Sequence, residues 1–588
     1  MSQKIEDKVE KDPGNVTLFR TGNFFVHAFA PQVKTGSLQR TGGSTTILER
    51  IRWTSAEKRR LVAAQTRLLP QLETANAALR QEITIPLALE SLVVALAIFI
   101  TLVVQAINIF NYPAYTAAEG DPMASAWALL HGQITPSVYT YNQPPLGWIQ
   151  IAAWVQLTGG IASFGNAINS GRVFMLVLAA ASSLLLYLIT SRLSGSRSAA
   201  LLAMIIYALT PLSLVYRREV LVDNIGTFWL LLSLCLITTG KSKSSTFVMA
   251  AAALGIASLT LDNFLLFLPA MLYAVWLYAT PFQRKFSLLT FLYIVLVVFS
   301  AYVLLALLRG ELFPPGVLPG DTKPHMSLIG ALIQKWQTSV APEQFAATWS
   351  TWIQTGGLFL LAGLVAMGIN VLGGTVNRFQ LLAVLLAATY SIILLVSHVV
   401  YPFSIVPLLP FMALNIALAL NTPLRWLTRK IGFDLARALL CFILIGALVP
   451  ASIQQALPLL APDAALPQQQ ALLWMRDNAP RNAVVITPSY LYSDLRQPGS
   501  MGVGTGQPFS HVYIYTDVTS DSQIAYGQLK GNWQRIHYLI VDAAMLKDIT
   551  SGEQYALLNE AYHHGVLRAA YGSKNDGTLI QIYQVILT

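Results

Sequence analysis

The run Leu92-Val-Val-Ala-Leu-Ala-Ile-Phe-Ile-Thr-Leu-Val-Val104 is followed, a short stretch later, by Ala118-Glu119-Gly120-Asp121-Pro122-Met123. The first lies inside an apolar segment, 86–110, long enough to cross a bilayer, which needs about 20 such residues. The second sets two carboxylates just beyond the membrane. An amphipathic run, Ala124 to Gly132, and the platform Tyr139-Thr-Tyr141-Asn-Gln143-Pro-Pro-Leu146 come next. Paired acids, an amphipathic helix and an aromatic, proline-rich platform are the parts of a reaction centre at a lipid surface. A simple anchor needs none of them.

Working outward, the 588-residue chain is 54% hydrophobic and 11% charged, with a mean hydropathy of +0.55. Soluble domains carry about 25% charged residues, so most of this chain belongs in lipid. The first 84 residues are polar and mixed and show no cleavable signal peptide, which leaves the first span as the insertion signal. The net charge of +10 does not point to nucleic acid. Its basic residues recur in short loops between apolar runs, the positive-inside pattern. Residues 1–84 hold 13 Lys and Arg against 8 Asp and Glu, suiting an anionic cytoplasmic leaflet. Both cysteines, Cys235 and Cys441, fall inside apolar runs and read as packing residues.

Candidate spans are 86–110, 171–192, 199–216, 224–240, 246–261, 263–280, 286–309, 354–374, 379–398, 403–421 and 435–455, about eleven in all. Arg192, Arg197, Arg284, Lys285, Arg425, Arg429 and Lys430 fall in alternate loops. That pattern puts the N terminus in the cytoplasm and the C-terminal region outside a plasma membrane crossed many times. The run 144–158 is too short to span and reads as an interfacial helix on the outer face. Residues 1–84 are expected to form a cytoplasmic tail with an amphipathic surface helix at 56–82. Residues 85–455 are the transmembrane domain with a first outer loop at 111–170, and 456–588 a soluble α/β domain. Strand-like runs lie at 483–487, 511–515, 537–541, 567–571 and 579–585, with helical stretches between them. Gly502-Val-Gly-Thr-Gly506 reads as a loop, since it neither follows a clear strand nor opens an apolar helix.

Several constellations could carry chemistry. Glu119 or Asp121 could act as general base for a hydroxyl, and the two together could hold a divalent cation. Asp121-Pro122 also reads as a helix start, with Pro at the first helical position. Tyr216-Arg217-Arg218-Glu219-Val-Leu-Val-Asp223 places two arginines outside, against the charge bias. They require either an internal charge cluster or a bound anion, and guanidinium forks match phosphate oxygens. His398 and Tyr401 mark a later outer turn, and Asp262-Asn263 begins another span. The outer loop 310–353 adds Glu311, Lys323, His325, Lys335, Trp336, Trp349 and Trp352.

Taken in order, these pieces resemble the GT-C superfamily of polyprenyl-phosphate-sugar-dependent glycosyltransferases. The nearest likeness is to the branch of dolichyl-phosphate-mannose protein mannosyltransferases and aminoarabinose transferases to lipid A. The resemblance covers about residues 86–420. It rests on the loop acids, Ala126-Trp-Ala-Leu-Leu-His-Gly132, Pro144-Pro145-Leu146-Gly147, Gly171-Arg172, Arg218-Glu-Val-Leu-Val-Asp223 and Tyr401-Pro402 with Pro407 and Pro410. It implies an α-helical polytopic fold with outer interfacial helices, and a hexosyl- or pentosyltransferase. The family's loop acid carries over to Glu119, with Asp121 as second candidate, although relatives show adjacent Asp-Glu where this chain has Ala118-Glu119. Relatives acting on lipid A place a lysine where this chain has Gln143, and many carry one near Asp262. Arg217 and Arg218 are then the expected phosphate ligands, and Tyr141, Gln143, Asp223, His398 and Tyr401 the expected substrate contacts.

The reaction so implied is an inverting single displacement at the outer face. The donor is a polyprenyl-phosphate-linked sugar; the acceptor hydroxyl belongs to a protein, a lipid or a glycan. No cofactor is implied beyond the divalent cation left open above. A flippase for lipid-linked sugars would share the spans and arginines, but transporters keep their polar sites at mid-membrane in repeated halves, and no repeat is evident. A non-catalytic assembly protein of the cell envelope is the third reading.

Overall fold

The computed structural model describes residues 87–586 apart from 240–243, 318–324, 338–341, 376, 397–399, 432–453, 455–460, 498–507 and 575–576. The expected tail 1–84 with its helix at 56–82, the span 435–455, His398, Lys323 and the glycine run 502–506 lie outside the described residues. Residues 83–588 form one compact unit.

The apolar segments fold into a helical bundle. Its helices are α1 (Leu87–Ala106), α2 (Ala117–Leu130), α3 (Leu146–Leu157), α4 (Ala167–Ser194), α5 (Arg197–Leu209), α6 (Pro211–Tyr216), α7 (Val222–Ile237) and α8 (Ser244–Thr260). They continue as α9 (Leu268–Tyr278), α10 (Arg284–Leu308), α11 (Leu328–Gln337), α12 (Pro342–Gly374), α13 (Arg378–Val396) and α14 (Leu409–Ile431). Five segments among the described residues are long and apolar enough to cross a membrane: 167–194, 284–308, 345–374, 378–395 and 402–421. Six further apolar helices are shorter.

The expected span 199–216 is two helices, α5 and α6, because Pro211 has no N–H to continue the ladder. Thr210 turns extended (ψ 142°) and Pro211 starts the next helix. Small residues let the helices close on one another. A Cβ at Gly226 would come within 2.2 Å of the Phe264 ring, and one at Gly255 within 2.7 Å of Val298. α12 breaks at Gly356, where an added Cβ would strike Leu212.

The C-terminal residues build a five-stranded sheet from β1 (Val484–Thr487), β2 (His511–Ile514), β3 (Tyr538–Asp542), β4 (Gly565–Tyr571) and β5 (Ile580–Val585). The order is β2-β1-β3-β5-β4, with β1 parallel to β2 and β3, and β5 antiparallel to β3 and β4. Every strand coincides with one of the five strand-like runs. Helices α15 (Leu466–Asn478), α16 (Ser489–Arg496), α17 (Tyr515–Ser520), α18 (Ala543–Ser551) and α19 (Ala556–His563) connect and flank them. β1 and β3 are almost wholly buried, as central strands must be. One apolar cluster joins this region to the bundle: Val485, Tyr490 and Leu491 share it with Met123, Trp127 and Ile168. The acids of the α1–α4 connection sit at that seam.

Candidate active site

α2 starts earlier than the Asp121-Pro122 pair predicts. Thr116 is its extended N-cap, and Pro122 lies inside the helix, so Asp121 does not cap it. The two acids then turn to different partners. Glu119 is wholly buried and meets Arg172 of α4 in a fork: Arg172 Nε donates to Oε1 at 2.9 Å and Nη2 to Oε2 at 2.7 Å. The Val220 N–H donates to the same Oε1 at 3.1 Å. Arg172 spends its remaining donors on the Ile109 and Pro113 carbonyls, each at 2.9 Å, and lies 5.0 Å over the Tyr115 ring. Glu119 therefore ties α2 to α4 and to the α6–α7 turn.

Arg217 and Arg218 are also interior. Arg217 donates to Ala179 O, to Ser183 Oγ at 3.1 Å and to Tyr207 O, with its guanidinium 3.9 Å over the Tyr207 ring. Arg218 donates Nη1 to Ile107 O at 3.0 Å, while its buried Nε and Nη2 have no partner. It lies beside the Glu119–Arg172 pair. Burial, reinforced by the Arg172 charge, lowers its pKa to about 10. Burial and the Glu119 charge push Glu219 up to about 8. Glu119, Arg172, Arg218 and Glu219 thus form a buried quartet of two acids and two bases, the internal cluster that two arginines on this turn require. Asp223 is buried in the first turn of α7.

The platform is built differently. Tyr141 adopts φ +57°, and the Tyr302 hydroxyl donates to its carbonyl at 3.0 Å. Tyr139 OH donates to Gln143 O, and Tyr141 OH to Glu311 at 2.5 Å. Arg309 forks onto Glu311 at 2.7 and 3.2 Å and lies 6.0 Å from the centre of the Tyr139 ring. Close by, Lys335 of α11 pairs with Asp262 at 2.8 Å. Asp262 therefore pairs with a cation from another helix and is not the N-cap of the turn it opens. Arg309 and Lys335 keep about a third of their side chains exposed, at 33% and 38%. Tyr401 is half exposed and stacks on Phe403.

Asp121, by contrast, faces the sheet region and opens to solvent. α16 lies so close to α2 that a Cβ at Gly120 would come within 2.2 Å of the Tyr490 amide nitrogen. The seam is pinned by Tyr115 N–H to Gln468 at 2.7 Å, Gln468 Nε2 to Tyr115 O at 2.8 Å, and Ala167 N–H to Asp494 at 2.9 Å. Trp127 adds an edge contact with Tyr492 and lies under Arg496. Asp121 faces Ser489 of α16 across the seam. Asp517 of α17 bonds with Ser137, and burial with the nearby Asp121 charge pushes it up to about 7.

The structure thus gathers Asp121, Asp517 and the Tyr139–Gln143 platform at one end of the bundle, with Arg309, Glu311, Asp262 and Lys335 beside the platform. Arg172, Arg309 and Asp517 went unassigned in the sequence. The one available signal was Arg172, a lone cation near the start of a 28-residue apolar helix, which must find an acid. Among the described residues, no group of three or more His, Cys, Asp or Glu could hold a metal ion.

The fold has known counterparts. ArnT from Cupriavidus metallidurans, solved bound to undecaprenyl phosphate, is 12% identical, with a TM-score of 0.53 over 84% of this chain and 98% of that one. The oligosaccharyltransferase of Archaeoglobus fulgidus, tethered with an acceptor peptide, is 11% identical, with a TM-score of 0.50 over 84% and 74% of the two chains. A family model described as dolichyl-phosphate-mannose-protein mannosyltransferase matches residues 143–305. No curated protein sequence matches the chain. The chain therefore shares the fold of these membrane proteins, and part of it matches the mannosyltransferase family model. The matched stretch begins at Gln143, at the end of the platform, and runs through α3 into α10.

Proposed function

We propose that the chain transfers a sugar from a polyprenyl-phosphate donor to an acceptor hydroxyl at the outer membrane face, by an inverting single displacement. The observation that carries this reading is the division of labour at one end of the bundle. A solvent-open carboxylate, Asp121, shares that end with two half-exposed cations, Arg309 and Lys335, set about the Tyr139–Gln143 platform. The solved ArnT holds undecaprenyl phosphate on the same fold.

Asp121, the second of the two loop acids, removes the acceptor proton as the hydroxyl attacks the anomeric carbon. Glu119 acts as a positioning residue, fixing the helix that carries Asp121 by its fork onto Arg172. The leaving phosphate is a stable anion. Arg309 and Lys335 balance its growing charge by exchanging Glu311 and Asp262 for phosphate oxygens. Arg217 gives its donors to interior carbonyls and Ser183, Arg218 lies in the buried charge cluster, and the Tyr141 and Gln143 backbone shapes the donor's seat.

Purified protein supplied with a radiolabelled polyprenyl-phosphate sugar should release the sugar, to water or to an acceptor. An intact donor after many hours, across mannosyl, galactosyl and pentosyl forms, would falsify the reading.

A further inference from the structure

A cleft of about 690 Å³ opens between the bundle connections and the sheet region. Val138 and His325 line it from the bundle side; Thr519, Ser520, Tyr526 and Glu553 line it from the other. Ser137, next to Val138, bonds with Asp517, whose neighbour Val518 also faces the cleft. One end of the cleft is thus walled by Val138 and Val518, the chain neighbours of Ser137 and Asp517.

Its chemistry is particular. Tyr526 leaves 75% of its surface exposed and sits on a single turn of π-helix, 523–528. An aromatic face held open to water is a stacking platform, and stacking removes apolar area worth roughly 25 cal/mol per Å². Around it stand the carboxylate of Glu553 and the hydroxyls of Thr519 and Ser520, which donate to the Thr516 carbonyl and keep their oxygens as acceptors for a ligand's hydroxyls. A ring face flanked by hydroxyls and a carboxylate fits a saccharide, whose rings show C–H groups on their faces and O–H groups on their edges. An acyl chain would want an unbroken apolar wall. A peptide strand would want an open sheet edge, and none of the five strands lines the cleft.

We infer that this cleft binds the acceptor, and that the acceptor is an oligosaccharide. The inference rests on the glycosyltransferase reading above, and it names the acceptor class for the same site. A glycan bound along Tyr526 extends to the Val138–Val518 end of the cleft, the end next along the chain to Asp517.

The experiment is direct binding without donor. The full chain in lipid nanodiscs is passed over an array of neutral, amino and acidic oligosaccharides, with hydroxyl-bearing peptides as a second arm. At least one saccharide class should bind, and Tyr526→Ala and Glu553→Gln should each weaken it at least tenfold while the melting temperature holds. Saccharide binding that survives both substitutions, binding to peptides alone, or no binding to either arm overturns the inference. Because no donor is present, saccharide binding by a chain that never turns over donor would sink the transferase reading and leave the cleft assignment standing.

Discussion

Glu119 and Arg172, 53 positions apart, meet through two hydrogen bonds of 2.9 and 2.7 Å with neither side chain exposed. The acid that motif order marks for catalysis is the one the protein has enclosed. Both of its oxygens are taken up by the guanidinium fork and a backbone N–H, and none of its surface reaches solvent. On the reading proposed above, its service is to set where Asp121 stands.

That pairing makes a definite stability prediction. Removing one member of a buried pair strands the other, at a cost of about 3–5 kcal/mol. Glu119→Ala and Arg172→Ala should each destabilise the protein by that much in unfolding measurements in bicelles. Glu119→Leu with Arg172→Met, which leaves no orphaned charge between these two, should recover most of it. Single variants as stable as the parent would refute the keystone role.

Activity should separate the two acids. Asp121→Asn keeps the shape and removes the base, so transfer should fall about 10²- to 10⁴-fold with an unchanged melting temperature. Glu119→Gln should lose activity only in step with loss of folded protein. Full transfer by Asp121→Asn would assign the proton to another group.

The two half-exposed cations should read out in donor affinity. Losing one charge-assisted hydrogen bond of about 1.5–3 kcal/mol corresponds to a donor KM raised at least tenfold for Arg309→Ala or Lys335→Ala. Arg217→Ala should instead lower stability, because its donors serve Ala179, Ser183 and Tyr207. A KM effect confined to Arg217 would return the phosphate to the interior arginines.

Asp517 gives the seam a pH dependence. Burial, with the nearby Asp121 charge, raises its carboxyl from 3.8 to about 7. The folded state therefore holds more protons than the unfolded chain across that interval. The stabilisation is fully present below pH 3.8 and is lost as pH rises through about 7. Hydrogen exchange along α16, corrected for intrinsic rate, should show greater protection at pH 5 than at pH 8. The double variant Asp121→Asn, Asp517→Asn should flatten the difference. Equal protection in the parent at both values would contradict the assignment.

Much of this fold is legible along the chain. The five strands read out because each is a short β-branched or aromatic run closed by turn residues, a purely local signal. Most helices among the described residues read out from apolarity, but Pro211 splits one segment in two, two others open in 3-10 turns at 262–267 and 402–408, and one begins early and breaks at Gly356. The site was harder to read because its partners are remote in sequence. Nothing near Glu119 announces Arg172, and nothing near Asp121 announces Ser489 or Asp517. The order of motifs pointed to the fold that the solved counterparts share. Which of the two loop acids faces water depends on how α16 packs against Gly120, a contact no local pattern encodes.

The clasp between Tyr115 and Gln468 joins residues 353 positions apart. At synthesis rates of 5–20 residues per second, the second residue emerges about 20–70 s after the first. The acid-bearing segment is thus made early and stays half-built until nearly the whole chain has been delivered. A ribosome that stalls late would leave a bundle in the membrane with its helices in place and its reaction centre unassembled. Assembly order alone keeps unfinished copies silent.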